Sequence, residues 1–278
     1  MDRTTCCIVG GGPAGMMLGL LLARAGIDVT VLEKHADFLR DFRGDTVHPS
    51  TLRLLDELGL GEAFARLPFA KLEEMRAQIG GTTVVMGDMR RLPGRHKYFA
   101  MVPQWDFLDL LAGAAAEEPH FTLRMRTRVT GLRTRGDQVT GVRFLDEDGA
   151  PGELAASLTV ACDGRDSVVR QAAGLRQQLF EVPMDVWQVR VDAPADSLKG
   201  GRVFAHFGGG QVAVTMDRGT VIRSALAGTL DGNRLPVPMR LLRRVPPLRT
   251  VAGYLGGFGI RPEHAPAFAR VSSAARSR

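Results

Sequence analysis

A chain of 278 residues is long enough for one large domain or two smaller ones, each with a core of its own. Hydrophobic residues at 45% and charged residues at 24% lie near the averages of folded proteins, which excludes wholesale disorder and leaves only the tail after Ala269 as an expected exception. The net charge of +6 comes mostly from arginines scattered through strand and helix patterns, as in LRMRTRVTGLRTRGD. No aromatic platform accompanies them, so the charge reads as a solvated surface and not as a nucleic-acid module.

Residues 4–9 read as a β-rich strand, residues 13–25 as an apolar helix closed by Gly26, and DVTVLEK (28–34) as a second strand, together a βαβ unit. The joint between strand and helix is GGGPAG (10–15), in which Gly10, Gly12 and Gly15 form GxGxxG, with Pro13 and Ala14 between the last two. Gly10 permits the tight turn, Gly12 lets backbone approach a pyrophosphate, and Gly15 lets the helix sit against the strand. Pro13 suits the first helical turn. The helix start then offers unpaired N–H groups and a partial positive charge to phosphates. Glu33 closes the next strand, 18 residues after Gly15. Its carboxylate is expected to face the glycine turn, where it can accept hydrogen bonds from an adenosine ribose.

Three cysteines, with Cys6 and Cys7 adjacent and Cys162 in another strand, make no disulfide framework and suggest a reducing, cytoplasmic setting. The apolar run at 16–23 is too short to span a bilayer and follows glycines instead of a basic segment, so neither a signal peptide nor an anchor is expected.

Further along, the pattern predicts a helix around 50–67, a hairpin-like excursion at IGGTTVVMGD (79–88) and a helix at 104–117. His48, beside Pro49 in a loop, reads as a polar contact and not as a general base. Residues 121–162 read as a meander with turns at 135–137 and 146–152. The meander delivers a second glycine turn, Asp163-Gly164, with Asp166 and Ser167 as caps of the next helix. This turn is expected at the carboxyl end of a strand in the same sheet as residues 4–9. Strands alternate again over 183–218. The strand QVAVTMDRG (211–219) is expected to run straight into a C-terminal segment of short basic-apolar helices broken by prolines.

A plain dehydrogenase would follow the first nucleotide half with a second βαβ unit, whereas here a long β meander separates the two glycine turns. The fingerprint alone does not separate FAD from a nicotinamide dinucleotide, but this arrangement resembles that of flavoproteins, whose FAD is a long, two-ended cofactor. IVGGGPAG with VLEK, then RGDTVHPSTLRLLDELGL, VPQWDFLDLLA and ACDGRDSVVR, resemble in this order the aromatic-hydroxylase family of FAD-dependent monooxygenases, the para-hydroxybenzoate hydroxylase type, over roughly residues 4–218.

The resemblance implies an α/β fold in which a Rossmann-like FAD-binding domain (1–68 and 100–176) is interleaved with part of a β-sheet substrate domain (69–99 and 177–220). A C-terminal helical segment with a disordered tail (221–278) follows. It also implies that Glu33, with Lys34 beside it, holds the adenosine ribose and that Arg43 lies near the flavin and pyrophosphate. Gln104 would reach the middle of the cofactor, Val129 would offer backbone to the adenine, and Asp163 would organise the groups behind the flavin. The implied reaction is reduction of FAD by NADH or NADPH, then transfer of one atom of O2 through a flavin hydroperoxide to an aromatic, polycyclic or other electron-rich small molecule. An FAD-dependent oxidase, reductase or halogenase on the same scaffold, or a non-catalytic dinucleotide-binding remnant, stays open as an alternative. The oligomeric state is not set by the sequence.

One part of the family pattern has no counterpart. A later Gly-Asp motif and the glycine-rich helix start after it are not found, and FGGGQ (207–211) lacks the aspartate. The expectation is a missing internal segment on the order of a hundred residues, joined near 219–221. Weak FAD binding and inefficient hydroxylation would follow.

Overall fold

The computed structural model describes residues 2–39, 46–79, 81–180, 184–190, 202–208, 211–216, 220–226, 237–258 and 264–270. The chain opens with strand Asp2–Val9 (β1), helix Pro13–Arg24 (α1) and strand Val29–Leu32 (β2). All four residues of β2 and the last four of β1 are buried, because the sheet they enter is covered on both faces and alternation is lost. Strand Thr46–Val47 (β3), helices Pro49–Glu57 (α2) and Gly61–Ala65 (α3), and strand Ala70–Leu72 (β4) follow. Next come the hairpin of Glu74–Ile79 (β5) with Thr82–Asp88 (β6), strand Phe99–Met101 (β7) and helix Gln104–Ala116 (α4). Strands Phe121–Arg124 (β8), Arg128–Arg135 (β9), Gln138–Leu145 (β10) and Pro151–Ala161 (β11) lead to helix Val168–Ala172 (α5). Strands Met184–Arg190 (β12), Arg202–Gly208 (β13), Gln211–Met216 (β14) and Thr220–Leu226 (β15) precede helices Val237–Arg244 (α6) and Pro246–Phe258 (α7).

The first sheet has the order β8-β2-β1-β11-β10-β9. Its first four strands are parallel and the last two antiparallel, so a nucleotide-type sheet carries a β meander on one flank. Helices α1 and α4 pack together with Ile8 of β1 and Val31 of β2, burying Met16, Leu20, Leu108 and Leu111. A second cluster joins Cys7 and Val9 to Leu132, Val142 and Leu154 under the meander, with Val169 of α5. The second sheet, β12-β15-β14-β13-β5-β6, unites strands from both sides of the meander. Strands β3, β7 and β4 form a small third sheet.

The structure corrects four sequence expectations. The helix expected over 50–67 is two helices, because Gly59, at φ +76°, ends α2 in the left-handed region and the Leu60 N–H turns back to the Leu55 carbonyl. Residues 121–124 are not part of the meander: α4 carries the chain back so that β8 adds to β2 as a further parallel strand, Val29 opposite Phe121. The strand at 211–216 does not lead directly into a helix. Residues 220–226, TVIRSAL, form β15 between β14 and β12, with Val221 opposite Thr215 and Val189. Of the two caps proposed after the second glycine turn, Ser167 alone is the N-cap, its Oγ accepting from the Arg170 N–H at 3.0 Å.

The segment 264–270 returns to the first layer and is held by one carboxylate. Glu57 Oε2 accepts from the Ala265 N–H at 2.5 Å, and His264 Nδ1 lies 2.7 Å from Glu57 Oε1. Ala265 and Ala269 close over Leu58. Burial pushes the Glu57 carboxyl up. The hydrogen bonds from His264 and Ala265, with the charges of His264 and Arg270, outweigh it and leave the group below its ordinary value. A carboxyl lowered by folding contributes stability above its unfolded value and loses it as pH falls through the folded one. The local opening free energy at Ala265, read by native-state hydrogen exchange corrected for intrinsic rates, is therefore expected to fall as pH drops below about 4. Glu57→Gln should remove that dependence.

Candidate functional site

Three glycines at the joint of β1 and α1, Gly10, Gly12 and, in the first turn of α1, Gly15, have different reasons to be there. Gly10 has φ +105°, and a Cβ on it would lie 2.4 Å from the Cys162 carbonyl oxygen just beyond β11. A Cβ on Gly15 would lie 1.9 Å from the Gly10 carbonyl oxygen. Both positions are therefore fixed by the protein's own packing, strand against turn and helix against turn. Gly12, the N-cap of α1, has φ −75°, and a Cβ there would meet nothing within 4 Å. Packing does not require glycine at that position; what its missing side chain provides is open space in front of a helix start. The N-cap makes no side-chain hydrogen bond and Pro13 occupies the first turn, so that end of a 12-residue helix keeps amide groups for a ligand.

Glu33 stands directly after β2 at 2% exposure, with its carboxylate turned to the glycine turn as expected. Oε2 accepts from the Gly11 N–H at 2.8 Å. Oε1 accepts from the His35 N–H at 3.0 Å and lies 2.5 Å from His35 Nδ1. The second glycine turn lies in the same sheet, also as expected. The Cys162 N–H donates to the Val9 carbonyl at 2.7 Å, which brings Asp163 beside the end of β1. Asp163 Oδ1 accepts from Ser167 Oγ at 2.6 Å and Oδ2 from the Val169 N–H at 3.3 Å, so this carboxylate fixes the start of α5. Asp163→Ala is expected to cost about 1–2 kcal/mol, read by urea unfolding, because it strips the N-cap serine and the first helical turn of an acceptor.

These groups line one cleft of about 710 Å³, within the size range of small-molecule sites. It brings together Gly10, Gly12, Pro13, Glu33, Lys34, Val129 and Asp163. Gly15 stands behind it against Gly10, and Ala14 is exposed in the first turn of α1. Gln104 is half-buried at the first position of α4 and does not line this cleft. Arg43 lies outside the described residues. His48 packs edge-on against Phe99, ring centroids 4.8 Å apart. Sequence reasoning missed His35, Thr127 and Arg128, which line the cleft. His35 carried a usable signal in standing two residues after Glu33, within reach of its carboxylate. Thr127 and Arg128 carried none, since their approach to the cleft rests on the Thr127 N–H donating to the Glu33 carbonyl at 2.8 Å, over a long sequence distance.

The three cysteines are free, and burial holds them as thiols. Burial, with the neighbouring Cys6, pushes Cys7 up to about 12. Cys162, which lines the cleft, is raised by burial and by the adjacent Asp163 charge. A thiolate nucleophile is thereby disfavoured. Among the described residues no cluster of His, Cys, Asp and Glu could hold a metal ion, and no helix is long and apolar enough to cross a membrane. The donor set is instead that of a binder. An open helix N-terminus suits the charge of a pyrophosphate, and a buried acceptor-only carboxylate suits the hydroxyl donors of a ribose, so the residues present fit the adenosine diphosphate end of a dinucleotide.

Fold and cleft thus define a dinucleotide-binding α/β protein with a meander-flanked parallel sheet. The chain belongs to the FAD binding domain family, of the aromatic-hydroxylase type, whose sequence profile matches residues 3–222. It is 38% identical over 197 residues to 6-methylpretetramide 4-monooxygenase of Streptomyces rimosus, a match covering 69% of this chain and 46% of that protein. Among solved structures it resembles the OxyS anhydrotetracycline hydroxylase from Streptomyces rimosus. There the TM-score is 0.63 at 27% identity, covering 83% of this chain and 47% of that one. The p-nitrophenol 4-monooxygenase PnpA from Pseudomonas putida DLL-E4 gives a TM-score of 0.66 at 22% identity, covering 90% and 62%, and shows the shared fold. The chain spans less than half the length of the curated relatives it matches, 46% and 33% for the first two.

Proposed function

We propose that this chain holds FAD and serves the NAD(P)H-dependent insertion of one oxygen atom from O2 into an aromatic or polycyclic small molecule. The observation that carries the reading is the open position at Gly12, set at the start of α1 in the same cleft as Glu33 and Asp163. Backbone N–H groups of the α1 start bind the pyrophosphate, and Glu33 accepts from the adenosine ribose. Val129, at the cleft wall, offers its backbone to the adenine, while Lys34, exposed at the rim, adds positive charge near the phosphates. Asp163 acts through α5, and Gln104 and Arg43 belong to the flavin end. FAD, when bound, supplies the electron transfer and oxygen activation, and the protein orients it and excludes water. Three free cysteines, two of them buried, support a reducing, cytoplasmic setting.

The test is a titration of the purified chain with FAD, followed by flavin fluorescence, and then NADH or NADPH consumption with candidate phenolic and polycyclic substrates. Saturable but weak FAD binding, with hydroxylated product at low yield per NAD(P)H consumed, is the expected result, because the flavin end lacks the Gly-Asp motif. NAD(P)H oxidation that yields only hydrogen peroxide across the substrate set would favour an oxidase, and absence of FAD binding would overturn the reading.

A further inference from the structure

Helices α6 and α7 carry an apolar surface that the fold does not use. A surface helix needs a single apolar stripe, and α7 already has its own on the inner side. There Gly253 is buried so close to β6 that a Cβ would lie 2.8 Å from the Asp88 carbonyl oxygen, and Tyr254 packs with Leu72 and Met89. Val251 and Leu255, one helical turn apart, are nevertheless each 53% exposed. The same holds at the end of α6, where Leu241 is 51% and Val245 36% exposed. The two helices are tied into one unit, since Arg249 of α7 donates from Nε to the Leu242 carbonyl and from Nη2 to the Arg243 carbonyl, both at 2.8 Å.

Within the two helices the charge has one sign. Residues 237–258 contain four arginines and no aspartate or glutamate. Arg240, Arg243 and Arg244 are exposed on α6. Aliphatic side chains flanked by arginines on short helices match the face that an interfacial helix lays into a negatively charged bilayer, where apolar groups enter the headgroup region and cations meet the lipid phosphates. A nucleic acid would have no use for the exposed leucines and valines, and among the described side chains the exposed apolar groups of α6 and α7 include no aromatic anchor of the kind protein interfaces favour. At 13 residues α7 is too short to span a bilayer, so the association is with the surface.

We propose that the α6–α7 unit is a docking surface for an anionic lipid bilayer. The 278-residue chain is mixed with vesicles of phosphatidylcholine alone or of phosphatidylcholine with phosphatidylglycerol, and the bound fraction is measured by sedimentation. Binding is expected with phosphatidylglycerol vesicles only, with release as salt is raised. Replacing Arg240, Arg243 and Arg244 together by alanine should weaken it on the order of a hundredfold, about fivefold per arginine. Val251→Ser with Leu255→Ser should also weaken it, with circular dichroism unchanged because both side chains are exposed. Leu241→Ser serves as an independent apolar variant on the other helix. No binding to the phosphatidylglycerol vesicles, or equal binding to both kinds, overturns the proposal. So does binding that survives the apolar variants and is displaced by duplex DNA, which would mark a site for polyanions in general.

Discussion

Gly10→Ala is expected to cost about 2–5 kcal/mol of folding stability, while Gly12→Ala, two residues away, should leave folding nearly intact and weaken FAD binding. The first figure joins two penalties. A side chain at φ +105° pays about 1–2 kcal/mol in backbone strain, and a Cβ 2.4 Å from the Cys162 carbonyl must push β11 away from β1, an overpacking cost of about 1–3 kcal/mol. Such a loss is a large share of a typical domain's stability. At Gly12 the backbone is ordinary and the added methyl meets no protein atom, so the folding cost should stay below about 1 kcal/mol, the range of a changed N-cap. The methyl would instead stand where a pyrophosphate approaches the α1 amides. Losing one charge-assisted hydrogen bond costs about 1.5–3 kcal/mol, or ten- to a hundredfold in affinity. Urea unfolding and FAD titration of both variants separate the two effects. Unchanged FAD affinity in Gly12→Ala would place the cofactor away from this helix.

That contrast also shows what the sequence could and could not convey. The first βαβ unit is legible because every step has a local cause: an unbroken apolar run for β1, glycine and proline at the turn, Gly26 after α1. The spacing of GxGxxG places Glu33 correctly, since the strand lengths between are short and fixed. It does not reveal that Gly10 and Gly15 answer to packing whereas Gly12 answers to open space, because that difference lies in atoms from Cys162 and from the turn itself. The misreadings share one origin. FTLR (121–124) carries strand propensity but nothing that tells a parallel partner 92 residues earlier from an antiparallel neighbour. TVIRSAL (220–226) opens on three β-branched residues but does not alternate, and the proline-rich basic stretch after it reads as following directly on 211–219. Gly59 stands inside an apolar run that reads as one helix, and its left-handed backbone ends α2 there. In each case the local propensity is readable and the conformation or partner that decides the element is not.

Glu33 is where loss of one atom type should do the most damage to the site. Its ionised side chain accepts only, and at 2% exposure it takes the Gly11 and His35 N–H groups and lies 2.5 Å from His35 Nδ1. Glu33→Gln keeps the shape but turns an NH2 toward one of those donors, so a buried N–H loses its acceptor at a cost of about 1–3 kcal/mol. Glu33→Ala strips both donors and should cost more. Stability alone would not separate a structural carboxylate from one that holds a ligand. Calorimetric titration with adenosine diphosphate and with its 2′,3′-dideoxy analogue does. The unmodified chain should prefer the hydroxylated ligand by roughly tenfold, the worth of one hydrogen bond to a charged group. Glu33→Gln should abolish most of that preference. If it weakens both ligands equally, Glu33 acts only by shaping the glycine turn and the ribose contact is refuted.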